Sequence, residues 1–200
     1  MQSKIVILGT LDTKGREHQY IKDVLTHCEE PVVVINAGIK GLPYFTPDIA
    51  SDEVARAGGM ELAELVRRND RNLAVEVMAK GAAQVVQELV NRGGVAGIIS
   101  LGGRAGTTIG TSAMRMLPLG MPKVMVSAVA SGDTQPYVED TDITMMNLAA
   151  DATGINQLSR QIMANAAFAV AGMVKGNYPE GIEYQKSTTK DLSYEINTSM

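Results

Sequence analysis

Two hydrophobic rhythms alternate along the chain, and together they predict a fold. Lys4 to Leu8 is a short β-branched apolar run, and after a polar turn Ile21, Val24, Leu25 and Cys28 fall on one face at helical spacing. Pro31 to Gly38, "PVVVINAG", is a second continuous run, the kind expected of a parallel strand buried on both faces. Ile39 to Ser51 is irregular, with Gly41, Pro43 and Pro47, and "SDEV" from Ser51 reads as a helix start with acidic residues in its first turn. From Asp70 to Arg92 the apolar positions Val75, Met78, Ala82, Val85, Val86 and Leu89 predict a long amphipathic helix that ends before Gly93-Gly94. Val95 to Gly103 returns to strand, followed by a helix from about Thr107 to Leu117. "PKVMVSAVASG" predicts another strand, and Ile143 to Met146 a fifth. Ile155, Leu158, Ile162, Ala166, Ala169 and Met173 mark a last helix, whose alanines permit close approach to a sheet or to another subunit. After Gly176 the period is lost. Residues 1–177 read as one α/β domain and 178–200 as a tail or a connector toward a second domain.

Strands that alternate with helices through right-handed crossovers form an open, mostly parallel sheet with helices on both faces, Rossmann-like or flavodoxin-like. Such sheets bind ligands beyond the carboxyl ends of their strands, where the candidate loops of this chain fall. Composition narrows the partners. Eighteen Lys and Arg against twenty-two Asp and Glu give a formal charge of -4, and with no Trp and two Phe there is little to stack on bases, so nucleic acid is not expected as a partner. No apolar run reaches the roughly 20 residues that span a bilayer. One cysteine, Cys28, leaves no internal disulfide and fits a cytoplasmic setting.

The strongest chemical signal is "SLGGRAGTTIGTSAM", Ser100 to Met114. Gly102, Gly103 and Gly106 keep the backbone clear of Cβ atoms, and Thr107 or Thr108 is placed to cap the next helix, so amides and a positive helix end converge where an anion would sit. Arg104 could add a charge-assisted bond to a phosphate. "GTLDTKG", Gly9 to Gly15, resembles a phosphate loop with its last two letters exchanged. Thr10, Asp12 and Thr13 could hold a ribose, a phosphate or a magnesium-bound water, and Lys14 could neutralise phosphate charge. In the absence of a ligand, Asp12 or Thr13 would instead cap the helix that follows. A third loop carries Ser131, Gly132 and Asp133, with Glu139 and Asp140 read as solvated surface. His18, His27 and Cys28 read as structural, the methionines of the second half as core filling. There is no HExxH, CxxC or GxSxG motif, and no metal site of the protein's own is expected.

Six blocks in one order resemble the ATP-binding domain family that includes the plant tobamovirus-resistance protein: "GTLDTKG", "PDIASDEVARAGG", "DRNLAVEVMAKGA", the glycine loop, "MPKVMVSAVASGDTQPYV" and "DITMMNLAADATGIN". In the glycine loop Arg104-Ala105 stands where that family usually has Ser-Gly. The resemblance implies ATP with Mg²⁺ in a Rossmann-like domain that dimerises or assembles further, with a second α/β domain or chain as a possible partner. It implies that Gly9 to Lys14 and Gly102 to Thr107 cradle phosphates, and that Arg71 and Asp133 make further contacts. Two functions follow as expectations. One is a nucleotide-binding module that regulates or assembles a two-domain protein. The other is a Mg²⁺-dependent enzyme acting on a small anionic metabolite, with Asp12, Lys14 and Asp133 as catalytic candidates and its site completed by a second domain or subunit.

Overall fold

The computed structural model describes residues 3–148 and 155–176. The proposed tail at 178–200 lies outside them. Five parallel strands stand in the order β2-β1-β3-β4-β5: β1 Lys4–Gly9, β2 Val32–Asn36, β3 Val95–Gly102, β4 Lys123–Ser127 and β5 Thr144–Asn147. The chain moves from β1 outward to β2, crosses back to β3 on the other side of β1, and continues outward through β4 and β5. The direction reverses between β1 and β3, which puts at their shared carboxyl end the switch point where doubly wound sheets as a class bind ligands.

Alternate side chains along each central strand enter different cores. Val6, Leu8 and Ile98 face α2 (Ser51–Ala57), α4 (Arg71–Asn91) and α5 (Arg104–Met114), packing with Val54, Met78, Val86 and Ile109. Ile5, Ile7 and Ile99 face α1 (Gly15–His27) and α7 (Gln157–Lys175), packing with Ile21, Leu25, Met163 and Ala167. Each such fully buried aliphatic chain stabilises the fold by about 1.5–3 kcal/mol. Ala166, Ala167 and Ala171 seat α7 against the sheet and α1.

Strand β2 is buried on both faces as its apolar run predicts, with Val34 in one core and Ile35 in the other, although it stands at the edge of the sheet. Its outer edge is covered by Asp48 and Ile49, with Val34 N donating to Asp48 Oδ2 at 2.8 Å and Asn36 N to Ile49 O at 2.9 Å. Three helices differ from expectation. Helix α5 begins at Arg104, three residues before the expected Thr107, because Gly103 in extended conformation serves as N-cap. Two short helices have no counterpart in the hydrophobic pattern, α3 (Leu62–Arg68) and α6 (Gln135–Val138). In contrast, α4 starts where its cap predicts: Asp70 accepts from the amides of Asn72 and Leu73 at 2.9 and 3.1 Å.

Candidate functional site

The first loop leaves β1 at Gly9 and is knitted to itself. Thr10 O accepts from the amides of Thr13 and Lys14, at 3.2 and 2.8 Å, and the Thr10 and Thr13 hydroxyls meet at 2.8 Å. Asn36, buried at the end of β2, accepts from Leu11 N at 3.0 Å and Gly38 N at 2.9 Å, pinning this loop to its neighbour. These amides are spent inside the protein, so the loop offers a ligand its side chains rather than the ring of free N–H groups that a P-loop presents. Neither Asp12 nor Thr13 caps α1, whose N-cap is Lys14. Asp12 reaches across instead: Oδ2 accepts from Lys40 N, while Oδ1 is buried without a hydrogen-bond partner. Lys14 Nζ lies 2.8 Å from Glu17 Oε1, a carboxylate almost fully buried at the start of α1.

The second loop, after β3, is tighter. A Cβ on Gly102 would stand 2.7 Å from the Gly106 Cα, a contact that no side chain permits. The first bond of α5 runs from Thr107 N to Gly103 O at 2.8 Å, so the amides of Arg104, Ala105 and Gly106 precede the helical ladder. Here the free N–H groups and positive helix end of an anion site are present.

Between the two loops opens a cleft of about 720 Å³. That volume lies within the range of small-molecule sites. Thr10, Asp12, Thr13, Lys14, Gly102, Gly103, Arg104, Gly106 and, from the start of α4, Arg71 line it, so nine of the site residues read from the sequence converge. Lys40 joins them, giving four cationic side chains against the carboxylates of Asp12 and Asp70. Leu65, Val66, Val75, Met78 and Ile109 add an apolar lining.

A family model described as the N-terminal domain of Uncharacterised protein family (UPF0261) matches residues 3–179. The chain belongs to the UPF0261 family. It is 51% identical over 180 residues to a UPF0261 protein of Clostridium tetani, covering 90% of this chain and 45% of that protein. A UPF0261 protein of Mesorhizobium japonicum is 41% identical over 172 residues, covering 85% and 42%. The ToMV resistance protein Tm-1(GCR237) of Solanum lycopersicum is 38% identical over 120 residues, covering 60% of this chain and 16% of its own length. The chain spans less than half the length of the two bacterial relatives.

Other predicted residues of this UPF0261 domain do not line the cleft. Gly9 and Thr107 lie beneath it: the ring of His18 packs against Gly9, and Thr107 Oγ1 meets Ser127 Oγ at 2.7 Å. Ser131, Gly132 and Asp133 follow β4, one strand beyond the crevice; Asp133 is exposed and accepts from Gln135 N at 3.1 Å, opening α6. Among the described residues no three His, Cys, Asp or Glu side chains cluster as metal ligands would, and no helix is long and apolar enough to cross a membrane.

Sequence reading missed Asn36 and Lys123, and gave His18 a structural role without foreseeing its burial. Asn36 carried a signal, as an amide ending an otherwise apolar run. His18, a fully buried imidazole, donates from Nδ1 to Lys14 O at 2.7 Å, while Nε2 has no partner; burial pushes its pKa below the ordinary 6.5. Lys123 is buried at the opposite end of the sheet, with Nζ bonded to Pro118 O, Met121 O and Asp142 Oδ1 at 2.7, 3.0 and 2.7 Å.

Proposed function

We propose that the cleft binds a nucleotide, ATP with Mg²⁺, and that this domain is the nucleotide-binding module through which a longer, two-domain UPF0261 protein is regulated or assembled, as a homodimer or larger. One observation carries the reading. At the switch point of the sheet, one cleft combines free helix-start amides and four cations with an apolar lining, a match to a polyphosphate joined to a flat ring. The amides of 104–106 with Arg104, Lys14 and Arg71 would hold the phosphates. The Asp12 carboxylate and the hydroxyls of Thr10 and Thr13 are hard oxygen donors suited to a magnesium-bound water. The cation would neutralise phosphate charge when bound. Matching Arg104 to the phosphate end offsets the Cβ that Ala105 adds to the loop.

Calorimetric titration with ATP, with and without Mg²⁺, tests the reading. Mg²⁺-dependent binding that weakens about tenfold in Lys14→Ala is the expected result, equivalent to one charge-assisted bond of roughly 1.4 kcal/mol. Absence of binding in the unmodified chain would remove the nucleotide.

The unpartnered Asp12 Oδ1 favours a second reading, an enzyme acting on a small anionic metabolite with Asp12 as base or metal-water ligand and Lys14 as electrostatic stabiliser. ATP hydrolysis lost in both Asp12→Asn and Lys14→Ala supports it. Intact ATP with nucleotide-dependent sedimentation supports the module.

A further inference from the structure

We infer that α3 is a lid over the apolar lining that Leu65, Val66, Val75 and Met78 give the cleft, hinged at Gly59 and Asn69 and drawn shut by the ring of a bound nucleotide; the last clause rests on the nucleotide reading.

The segment is built to move as a unit. Gly59 at φ +95° and Asn69 at φ +49° place left-handed residues before and after α3, where the backbone changes direction. Between them, Leu65 is the one fully buried side chain of the helix, and α2 is the element against which α3 chiefly lies. The hydrogen bonds of residues 61–69 close within that stretch: Glu64 and Leu65 amides to Glu61 O, Asn69 N to Leu65 O, and Glu64 to the guanidinium groups of Arg67 and Arg68 at 2.7 and 2.6 Å. Among the described residues all its ion pairs are internal. Displacing α3 therefore gives up the Met60 N–Ala55 O bond beside the hinge and the apolar contacts of Leu65 and its partly buried neighbours, and breaks no other hydrogen bond or salt bridge among the described residues.

The lid has something to close on. Leu65 and Val66 line the cleft, yet Val66 remains 52% exposed, an apolar side chain at a ligand site without a partner. A ring lying against Val75 and Met78 on α4 would present the apolar surface that completes its burial. The groups proposed to hold the phosphates come from the loops after β1 and β3 and the first turns of α5 and α4, elements that α3 does not touch in any extended contact. Ring and phosphate recognition are thus carried by parts of differing mobility.

Hydrogen exchange of the full 200-residue chain, with calorimetry alongside, tests the lid. In the free protein the amides of α3 are expected to open separately from α4 and at least about tenfold more often. Saturating ATP with Mg²⁺ should protect them, whereas inorganic tripolyphosphate, which has no ring, should not. Val66→Ser, a surface change that leaves the melting temperature in place, should weaken ATP about fivefold and tripolyphosphate not at all. Exchange of α3 in concert with α4 overturns the lid, as does ATP that binds by calorimetry and leaves α3 unprotected, or equal effects of Val66→Ser on the two ligands. If ATP produces no heat, the nucleotide reading fails by itself, and the lid stands or falls on separate opening in the free chain.

Discussion

Gly9 has no side chain because His18 occupies its place: a Cβ there would stand 1.8 Å from the imidazole Nε2. Gly9→Ala is expected to cost about 2–3 kcal/mol, read in urea melts as a lower midpoint with unchanged slope, since the ring sits in a core with nowhere to go. His18 itself sets a pH dependence. Burial holds it neutral below its ordinary 6.5, so as pH falls the unfolded chain takes up a proton that the folded chain refuses. Its contribution is complete above about pH 6.5 and is lost below it, and the melting temperature should decline from there downward in the parent protein but not in His18→Asn. A decline common to both proteins would acquit His18. A structural role for His18 was legible in the sequence; its complete burial was not, because it stands among Arg16, Glu17 and Gln19 and only the fold reveals that its turn of α1 points under the loop. The meeting of Lys14 and Arg104 in one cleft, in contrast, was legible from residue type and the glycines around them.

At the scale of elements, β1, β3 and α4 could be read directly because burial on both faces and a capped amphipathic stripe leave strong patterns. Helices α3 and α6 could not, since seven and four residues with little burial complete too few turns to establish a period. The start of α5 was displaced for a related reason: a glycine N-cap makes no side-chain bond, so the nearest threonines drew the assignment. Lys123 shows how an element is tied down out of view of its pattern. Partial burial pushes the Asp142 carboxyl up, but hydrogen bonds from Lys123 Nζ and Gly120 N outweigh it and hold it below the usual carboxylate range. That stability is present above the unfolded carboxyl pKa and is lost as pH falls through the lower, folded one. Asp142→Asn should destabilise by about 3 kcal/mol, because it leaves the Lys123 charge buried without its anion. Lys123→Met keeps the stem, removes the charge, and should cost clearly less in the same denaturant melts. The reverse order would show that the three acceptors are not what holds the ammonium in place.

Strand order is a property of the whole molecule, and it decided which predicted loops meet. Nothing local to Ser131, Gly132 or Asp133 distinguishes their turn from those after β1 and β3; the difference is that β4 stands one place further from the reversal. The protein carries a formal charge of -4, yet four cations line its cleft, so the attraction for a polyanion is local. ATP at one hundred times its dissociation constant should raise stability by about 2.7 kcal/mol, seen as a shift of several degrees in melting temperature. That shift should shrink as ionic strength rises, because partly exposed charges are screened. A salt-independent shift would place the ligand elsewhere.

The pairing of β1 with β3 also bears on synthesis. Lys4 lies beside Val95 and Leu8 beside Ser100, so the two walls of the cleft belong to stretches made far apart in time. On the ribosome β1 emerges first and can pair early with β2, but the ligand crevice has only one side until β3 and the start of α5 have cleared the exit tunnel. On the proposed nucleotide reading, ATP would therefore not act as a template for the early nascent chain. It would reward only a domain whose central strands have already met, and would report completed topology during translation.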